Sequence, residues 1–263
     1  MIDSHCHLAD EVFAADLDAV VARAKDAGLE RAMTILAAGD GKEAAQALRV
    51  ASLWPDCRFS IGVHPHAAKT FAGRPEGAAD VVREQIGRTP AARAIGEIGL
   101  DYHYDFAPPD VQQQVFRAQV SLACELGLPV VIHTREADDD TVRILREEGE
   151  KAGVGRLRGV LHCFTGGPSL LRAGLDLGLY ISLSGIITFP KAAELRDTVR
   201  AAPLDRVLIE TDSPFLAPVP FRGTRNEPAH VARVADGVAA LHGIPAADAR
   251  RLTAENFHAL FRP

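Results

Sequence analysis

Two histidines near the start of the chain, His5 and His7, flank Cys6. Residues i and i+2 of a β-strand point to the same side, so both imidazoles would face one way and Cys6 the other. Neutral imidazoles in this arrangement suit zinc, manganese or iron. The pair therefore predicts a metal site, although a single such pair also occurs on ordinary surface or core strands.

Further metal-ligand side chains stand near the ends of later apolar runs, at Glu97, His133, His162 and Asp212. Glu97 ends a wholly apolar run, where an unpaired buried carboxylate would be costly, so it requires a cation. With two oxygens it could bridge two metals about 3.5–4 Å apart, as in binuclear hydrolases. These residues predict a binuclear centre.

Each of these residues also has an ordinary structural explanation. Glu97 alone could form a buried salt bridge with an arginine, and Asp212 could cap the turn at Ser213. His133 or His162 alone could be a hydrogen-bonded core residue. Their convergence at the same end of five predicted strands favours the metal site.

Other polar residues follow the same predicted strands and are candidates for substrate binding: His64, Tyr102, Arg135, Arg222 and Arg225. The histidine and tyrosine could contact substrate or support the metal ligands, and the arginines could contact phosphate. A solvated loop arginine is the commoner explanation for each of the latter. Glu210 is expected to face away from Asp212.

Short apolar, β-branched runs predict eight strands, which would position these side chains. They are Ile2–His7, Ala32–Leu36, Arg58–Val63, Ala94–Ile98, Pro129–His133, Gly159–His162, Leu179–Leu183 and Arg206–Glu210. Segments with helical spacing separate them, so the sheet is parallel and covered on both faces. Eight such units predict a (β/α)8 barrel, with residues 1–263 as one domain. The rival doubly wound sheet would carry a glycine-rich turn after strand one, where this chain has histidines.

The end of the chain has a different pattern. Residues 213–228 are rich in proline and predict a long loop after strand eight. Two helices are expected to follow, beginning near Pro228 and Pro245.

Composition excludes several classes of protein. The 263 residues are 47% hydrophobic and 24% charged, which is typical of a globular protein and not of a disordered or fibrous one. The net charge of −6 argues against broad neutralisation of nucleic-acid phosphates, so a polyanion would be bound locally, through metal. No apolar run is long enough for a membrane helix, the N-terminus has no leader pattern, and the four cysteines are scattered. We expect a soluble cytoplasmic protein.

Ordered motifs along essentially the whole chain resemble the TatD-like metal-dependent hydrolases, within the amidohydrolase-type barrels. The motifs are Ile2-Asp3-Ser4-His5-Cys6-His7-Leu8, Gly62-Val63-His64-Pro65-His66, Gly96-Glu97-Ile98-Gly99-Leu100-Asp101-Tyr102, Pro129-Val130-Val131-Ile132-His133-Thr134-Arg135, His162-Cys163-Phe164-Thr165-Gly166, Glu210-Thr211-Asp212-Ser213-Pro214 and Arg225-Asn226-Glu227-Pro228. The resemblance implies a (β/α)8 barrel with two divalent metals (magnesium, manganese or zinc) and hydrolytic activity, often as a deoxyribonuclease. It also implies the ligand sets: His5, His7, Glu97 and Asp212 for one metal, and Glu97, His133 and His162 for the other.

Three hypotheses follow for function. The first is a metal-dependent phosphodiesterase that trims DNA or RNA from an end, with Glu97 and Asp212 as catalytic residues and Asp212 accepting a proton. The second keeps the metals but hydrolyses an ester or amide, such as the aminoacyl ester of a D-aminoacyl-tRNA. The third, a non-catalytic metal-binding scaffold, fits poorly with a complete ligand set. Nucleic acid is the expected partner, with no membrane and no obligate protein partner.

Overall fold

The structure is a computed structural model that describes residues 1–262. Eight parallel strands form one sheet in chain order, and each strand pairs with the next. The strands are β1 (Ile2–Cys6), β2 (Arg31–Ala37), β3 (Arg58–Gly62), β4 (Ala92–Asp101), β5 (Val130–Arg135), β6 (Gly159–Leu161), β7 (Tyr180–Leu183) and β8 (Val207–Ile209). The (β/α)8 barrel predicted from the sequence is confirmed.

The barrel closes between β1 and the segment that follows β8. The Asp212 amide donates to the His5 carbonyl at 2.9 Å, and the His7 amide donates to the Ser213 carbonyl at 2.8 Å. The bonds that close the barrel therefore also hold three predicted ligands side by side.

Nine α-helices within residues 1–262 surround the sheet. They are α1 (Leu17–Asp26), α2 (Gly41–Leu53), α3 (Glu76–Arg88), α4 (Pro109–Leu126), α5 (Asp138–Ala152), α6 (Pro168–Asp176), α7 (Ala193–Val199), α8 (Val231–His242) and α9 (Ala246–Phe261). The Asp40 side chain caps α2 by accepting from the amides of Lys42 and Glu43, and left-handed Gly127 ends α4. Within the described residues, no helix combines the length and apolar character that a membrane span requires.

Two apolar layers hold the fold together. The larger lies between the strands and the helices, and includes Cys6, Ile95 and Ile98. The smaller fills the N-terminal end of the barrel with side chains from the strand starts, such as Met33 and Leu208. Helix α9 closes this end, because it inserts its own apolar residues into the smaller layer: Phe257, Leu260 and Phe261.

Strands β1 and β4 both interrupt the regular alternation of side chains. On β4, Ala94 faces the barrel interior and Ile95 faces the helices, yet Ile98, three residues later, also faces the helices. The pairing of β4 with β5 shifts register between Ile95 and Ile98. This irregularity turns Glu97 toward the interior, whereas strict alternation would put it on the helix side with Ile95.

The close approach of β4 to β5 depends on glycine at position 99. Gly99 has φ of +143°, and a Cβ atom there would lie 1.9 Å from the His133 carbonyl oxygen. No other residue fits without moving β5. The glycines around Glu97 therefore bring the ligand-bearing backbones together.

One strand that carries a predicted metal ligand, β4, ends later than the sequence predicts. Strand β4 continues to Asp101, so the predicted end of this strand at Ile98 is wrong by three residues. The apolar run ends where the barrel interior becomes polar, and the backbone pairing continues beyond it. The proline-rich segment is a loop as predicted, and the two last helices begin at Val231 and Ala246, close to the predicted starts.

Candidate metal centre

Four side chains meet at the C-terminal end of the barrel and form what we call the first ligand group: His5, His7, Asp212 and one oxygen of Glu97. Nε2 of His5 lies 3.2 Å from Nε2 of His7, and 3.5 Å from both Asp212 Oδ1 and Glu97 Oε2. His7 Nε2 lies 3.4 Å from Asp212 Oδ1 and 3.9 Å from Glu97 Oε2. Two nitrogens and two carboxylate oxygens thus surround one point.

The other oxygen of Glu97 belongs to a second ligand group, with His133, His162 and His64. Glu97 Oε1 lies 2.8 Å from His162 Nε2, 3.0 Å from His133 Nδ1 and 3.3 Å from His64 Nε2. The His133 and His162 nitrogens are 3.5 Å apart. Glu97 therefore stands between the two groups, with one carboxylate oxygen in each.

The spacing of these atoms fits divalent metal. Ligands about 2.0–2.1 Å from a tetrahedral ion lie roughly 3.3–3.4 Å from one another, which is close to the separations in both groups. Imidazole nitrogens and carboxylate oxygens suit zinc and manganese. Further donors, such as water or substrate, would complete each coordination shell, as in catalytic metal sites.

The charges of the site favour ionised carboxylates. Burial raises the pKa of Glu97, but the neighbouring His162, His64 and His133 together outweigh burial and hold it well below its usual range. Burial also raises the pKa of Asp212, and the hydrogen bond from His7 and the nearby His5 lower it further than burial raises it. Both carboxylates are therefore ready to bind a cation.

Buried carboxylates behind the ligands orient two of the histidines. Asp101 Oδ2 lies 3.0 Å from Nε2 of His133 and 3.0 Å from Nε2 of His66. Glu210 Oε1 lies 3.3 Å from Nδ1 of His162 and accepts the Cys163 amide at 2.7 Å. Such carboxylates fix the ring orientation and tautomer of metal-binding histidines.

The expectation that Glu210 faces away from Asp212 is wrong. Both side chains point into the site, since Leu208 faces the interior and residues i and i+2 share a face. The argument applied to His5 and His7 would have identified it. The outward direction predicted for Cys6 is confirmed, because Cys6 belongs to the apolar layer between the strands and the helices.

The predicted substrate-binding residues have varied surroundings. His64, predicted to contact substrate, lies within the second ligand group, so its position would also allow it to bind metal. Arg135 lies over the Tyr104 ring, and Arg222 lies 3.7 Å from the centre of the Phe189 ring. The structure thus brings the predicted metal ligands together and spreads the arginines along the rim.

Two of the residues predicted to contact substrate bind carboxylates of this protein instead. Arg225 makes a two-pronged ion pair with Asp16, at 2.9 and 2.6 Å. The Tyr102 hydroxyl donates to Asp140 Oδ2 at 2.9 Å. Asp16 is more than 200 residues from its partner in sequence, so the local pattern gave no signal of this pairing.

Comparisons with known proteins agree with this geometry. The family model described as TatD related DNase matches residues 2–262. The chain belongs to the TatD family. One relative in this family is named uncharacterized metal-dependent hydrolase YabD, from Bacillus subtilis strain 168; it is 39% identical over 262 residues, which cover 100% of this chain and 99% of the relative.

Two further members bear on the fold and the chemistry. The protein named 3'-5' ssDNA/RNA exonuclease TatD from Erwinia tasmaniensis is 38% identical over 267 residues, covering 99% of each chain. The crystal structure of YJJV, a TatD homolog from Escherichia coli K12, has a TM-score of 0.86 and 29% identity, and it covers 100% of this chain and 98% of that one. The TatD barrel and its class, metal-dependent hydrolase, are shared across the full length.

Proposed function

We propose that the protein is a binuclear metal-dependent phosphodiesterase that releases nucleotides from an end of single-stranded DNA, and of RNA. The observation that carries the proposal is Glu97, whose two oxygens lie in separate groups of histidines. A carboxylate shared in this way suits two ions spaced for the attacking and leaving oxygens of an in-line displacement. The TatD relative named 3'-5' ssDNA/RNA exonuclease supports the choice of substrate.

The chain's own residues would divide the work. His5, His7, Asp212 and Glu97 would hold one ion, and Glu97, His133 and His162 would hold the other. Bound ions at such paired sites lower the pKa of water toward about 7 and neutralise charge that develops on the phosphoryl group. Asp212 would take the proton of the attacking water, since its carboxylate is ionised and 14% exposed.

Substrate binding would rest on a few side chains around the opening. His64 is 27% exposed beside Glu97, and burial lowers its pKa, which leaves a neutral imidazole to contact the phosphate. Arg135 and Arg222 would contribute positive charge. Because the chain carries a net charge of −6, such a site would grip a strand terminus better than the interior of a duplex.

The proposal is tested with end-labelled oligonucleotides and added magnesium, manganese or zinc. Single-stranded DNA and RNA should shorten stepwise, duplex DNA should resist, and a blocking group on the attacked end should stop release. The Asp212→Asn variant is the matched control and should be at least about a hundredfold slower. Internal fragments appearing first would indicate an endonuclease instead.

Two further outcomes would overturn the assignment. If no nucleic acid is cleaved with any metal while D-aminoacyl-tRNA is deacylated, the site is an ester hydrolase. Metal analysis after gentle dialysis should give about two ions per chain. A content that never exceeds one, even with manganese in excess, would contradict the binuclear arrangement.

A further inference from the structure

Three large aromatic side chains are strongly exposed within the described residues, and all three surround the metal centre. Tyr104 is 43%, Phe106 53% and Phe215 56% exposed. The other large hydrophobic side chains with comparable exposure in this part of the chain are aliphatic. We call the three residues the aromatic rim. Exposed rings gathered around a catalytic opening are a feature of ligand recognition more than of packing.

One side of the aromatic rim adjoins the second ligand group. The Phe106 ring centre lies 4.5 Å from that of His66, and the Tyr104 and Phe106 ring centres lie 5.6 Å apart. His66 shares the Asp101 carboxylate with the ligand His133. The Arg135 guanidinium lies 5.0 Å from the centre of the Tyr104 ring, so positive charge accompanies the aromatic surface.

The opposite side adjoins the first ligand group. Phe215 follows Asp212 by three residues, and its ring centre lies 6.1 Å from that of His7. Its backbone is held in place, since its amide donates to the Asp212 carbonyl at 2.9 Å and its carbonyl accepts the Asn226 side-chain amide at 2.6 Å. The backbone that carries the ring is thus held in place, while the ring itself is open to solvent.

The two sides flank Glu97, which joins both ligand groups. A phosphodiester at the metal centre would therefore have aromatic surface near the nucleosides on each side of it. Bases stack on aromatic side chains whatever their sequence, because every base has a π-face. Paired bases inside a duplex are already stacked and cannot reach such rings without unpairing.

We propose that the aromatic rim is a base-stacking clamp, in which Phe215 and the Tyr104–Phe106 pair hold the unpaired nucleobases on either side of the bond to be cleaved. The clamp deepens the proposed function and rests on it. It selects single strands without selecting sequence, and it supplies binding energy that the acidic protein lacks in basic surface. Arg135 adds a contact to the phosphate backbone or to a base face.

Binding without turnover provides the first test. Wild-type protein loaded with manganese should bind a fluorescent ten-residue oligothymidylate whose phosphorothioate linkages resist cleavage, measured by anisotropy. Phe215→Leu and the double change Tyr104→Leu with Phe106→Leu should each weaken binding about fivefold to a hundredfold, the range expected for lost base stacking. Phe215→Trp should retain binding. Leu48→Ala, at an apolar residue of α2 that is 75% exposed, is the matched control and should bind as wild type.

The same variants are then compared during turnover. With manganese, the leucine variants should raise KM by the same factor while kcat changes less than about threefold. An oligonucleotide with abasic sites at its terminal positions should remove the difference between variant and wild type. A rim that only covers His66 would leave binding unchanged, or would weaken both oligonucleotides equally, and either result overturns the proposal.

The clamp and the nuclease assignment can fail separately. If wild type cleaves single strands and the leucine variants bind them as well as wild type does, the clamp is wrong and the nuclease stands. If no nucleic acid is cleaved with any metal but binding still depends on the aromatic rim, the clamp stands and the reaction is a different one. If wild type neither binds nor cleaves nucleic acid, both are wrong.

Discussion

The two ends of the barrel are built from the same eight strands, but one end is filled with apolar side chains and the other with polar, ionisable ones. The N-terminal end is filled by aliphatic and aromatic side chains and closed by Phe257, Leu260 and Phe261 of α9. The C-terminal end holds histidines and carboxylates that contact one another through nitrogen and oxygen atoms. A layer of small hydroxyls separates them, where Ser4 bonds to Ser182 at 3.0 Å and Ser60 donates to the Gly96 carbonyl.

This contrast explains how one fold serves stability and chemistry at once. Apolar packing at the N-terminal end provides free energy that does not depend on metal or protonation. At the C-terminal end, buried charges oppose folding unless cations or protons compensate them. Substitutions at one end should therefore change stability, and substitutions at the other should change turnover.

Glu97→Ala should have the largest effect, because it removes the carboxylate that places one oxygen in each ligand group. We expect turnover to fall by at least about a thousandfold and metal content to drop below one ion per chain. Rate measurements and metal analysis check this, and circular dichroism should show an intact barrel. Glu125→Ala, at an exposed ion pair with Arg83, is the control and should leave both unchanged. A folded Glu97 variant with a near-normal rate would contradict the shared-ligand role.

Phe257→Ala should have the opposite profile at the other end of the barrel. The ring is fully buried, so the cavity should lower the free energy of unfolding by about 3–5 kcal/mol. Urea unfolding measures the loss, and kcat of the folded fraction at low temperature should change less than about twofold. A large drop in kcat without a loss of stability would show that the two ends are coupled.

Asp3→Asn should change how the free energy of unfolding depends on pH, because the Asp3 carboxyl is buried beneath the metal centre. Burial raises the pKa of Asp3 from its ordinary 3.8 to about 8, despite hydrogen bonds from Thr211. The unfolded chain releases this proton at lower pH than the folded one does. Asp3 therefore stabilises the fold most below about pH 4, and this contribution falls as the pH rises toward about 8.

Urea unfolding at pH 5, 6, 7 and 8 tests the sign of this effect. As pH rises, the free energy of unfolding of wild type should fall relative to that of Asp3→Asn, by up to about 1.4 kcal/mol per pH unit. Thr211→Val, which removes one donor to Asp3, should raise the folded-state pKa further and so extend the trend to higher pH. A constant difference across this range would mean that Asp3 keeps an ordinary pKa in the fold.

Arg225→Ala should have the smallest effect. Its guanidinium is already paired with Asp16 in a partly exposed position, and such pairs contribute less than about 1 kcal/mol. We expect a small loss of stability and less than a twofold change in KM for an oligonucleotide. Asp16→Ala is the matched control. A tenfold rise in KM for Arg225→Ala alone would show that the arginine leaves Asp16 to bind phosphate.

The fold can be predicted well from the sequence, because short-range patterns of residues locate its strands and helices. Apolar runs locate the strands, and caps such as Asp40 and Gly127 locate the helix ends. The direction of Glu97 is beyond such reasoning, since strict alternation would bury it against the helices. It faces the histidines because β4 slips in register against β5, which is a property of two strands together.

The candidate site shows the same division. The types and approximate places of the predicted ligands follow from single strands, and the structure brings those side chains together. Contacts between distant segments do not follow from them: the ion pair of Arg225 with Asp16, the support of His162 by Glu210, and the approach of Phe215 to His7. Each depends on barrel closure, which no local pattern encodes.

The slipped register of β4 has a consequence for which side chain reaches the metal centre. Before the slip the even-numbered position Ala94 faces the interior, whereas after it the odd-numbered position Glu97 does. If β4 kept regular alternation from Ala94 onward, with the same length and no slip, position 97 would face the helices and Ile98 would face the interior, placing a hydrocarbon among the histidines. The direction of this carboxylate thus depends on the register shift of β4 as well as on the identity of residue 97.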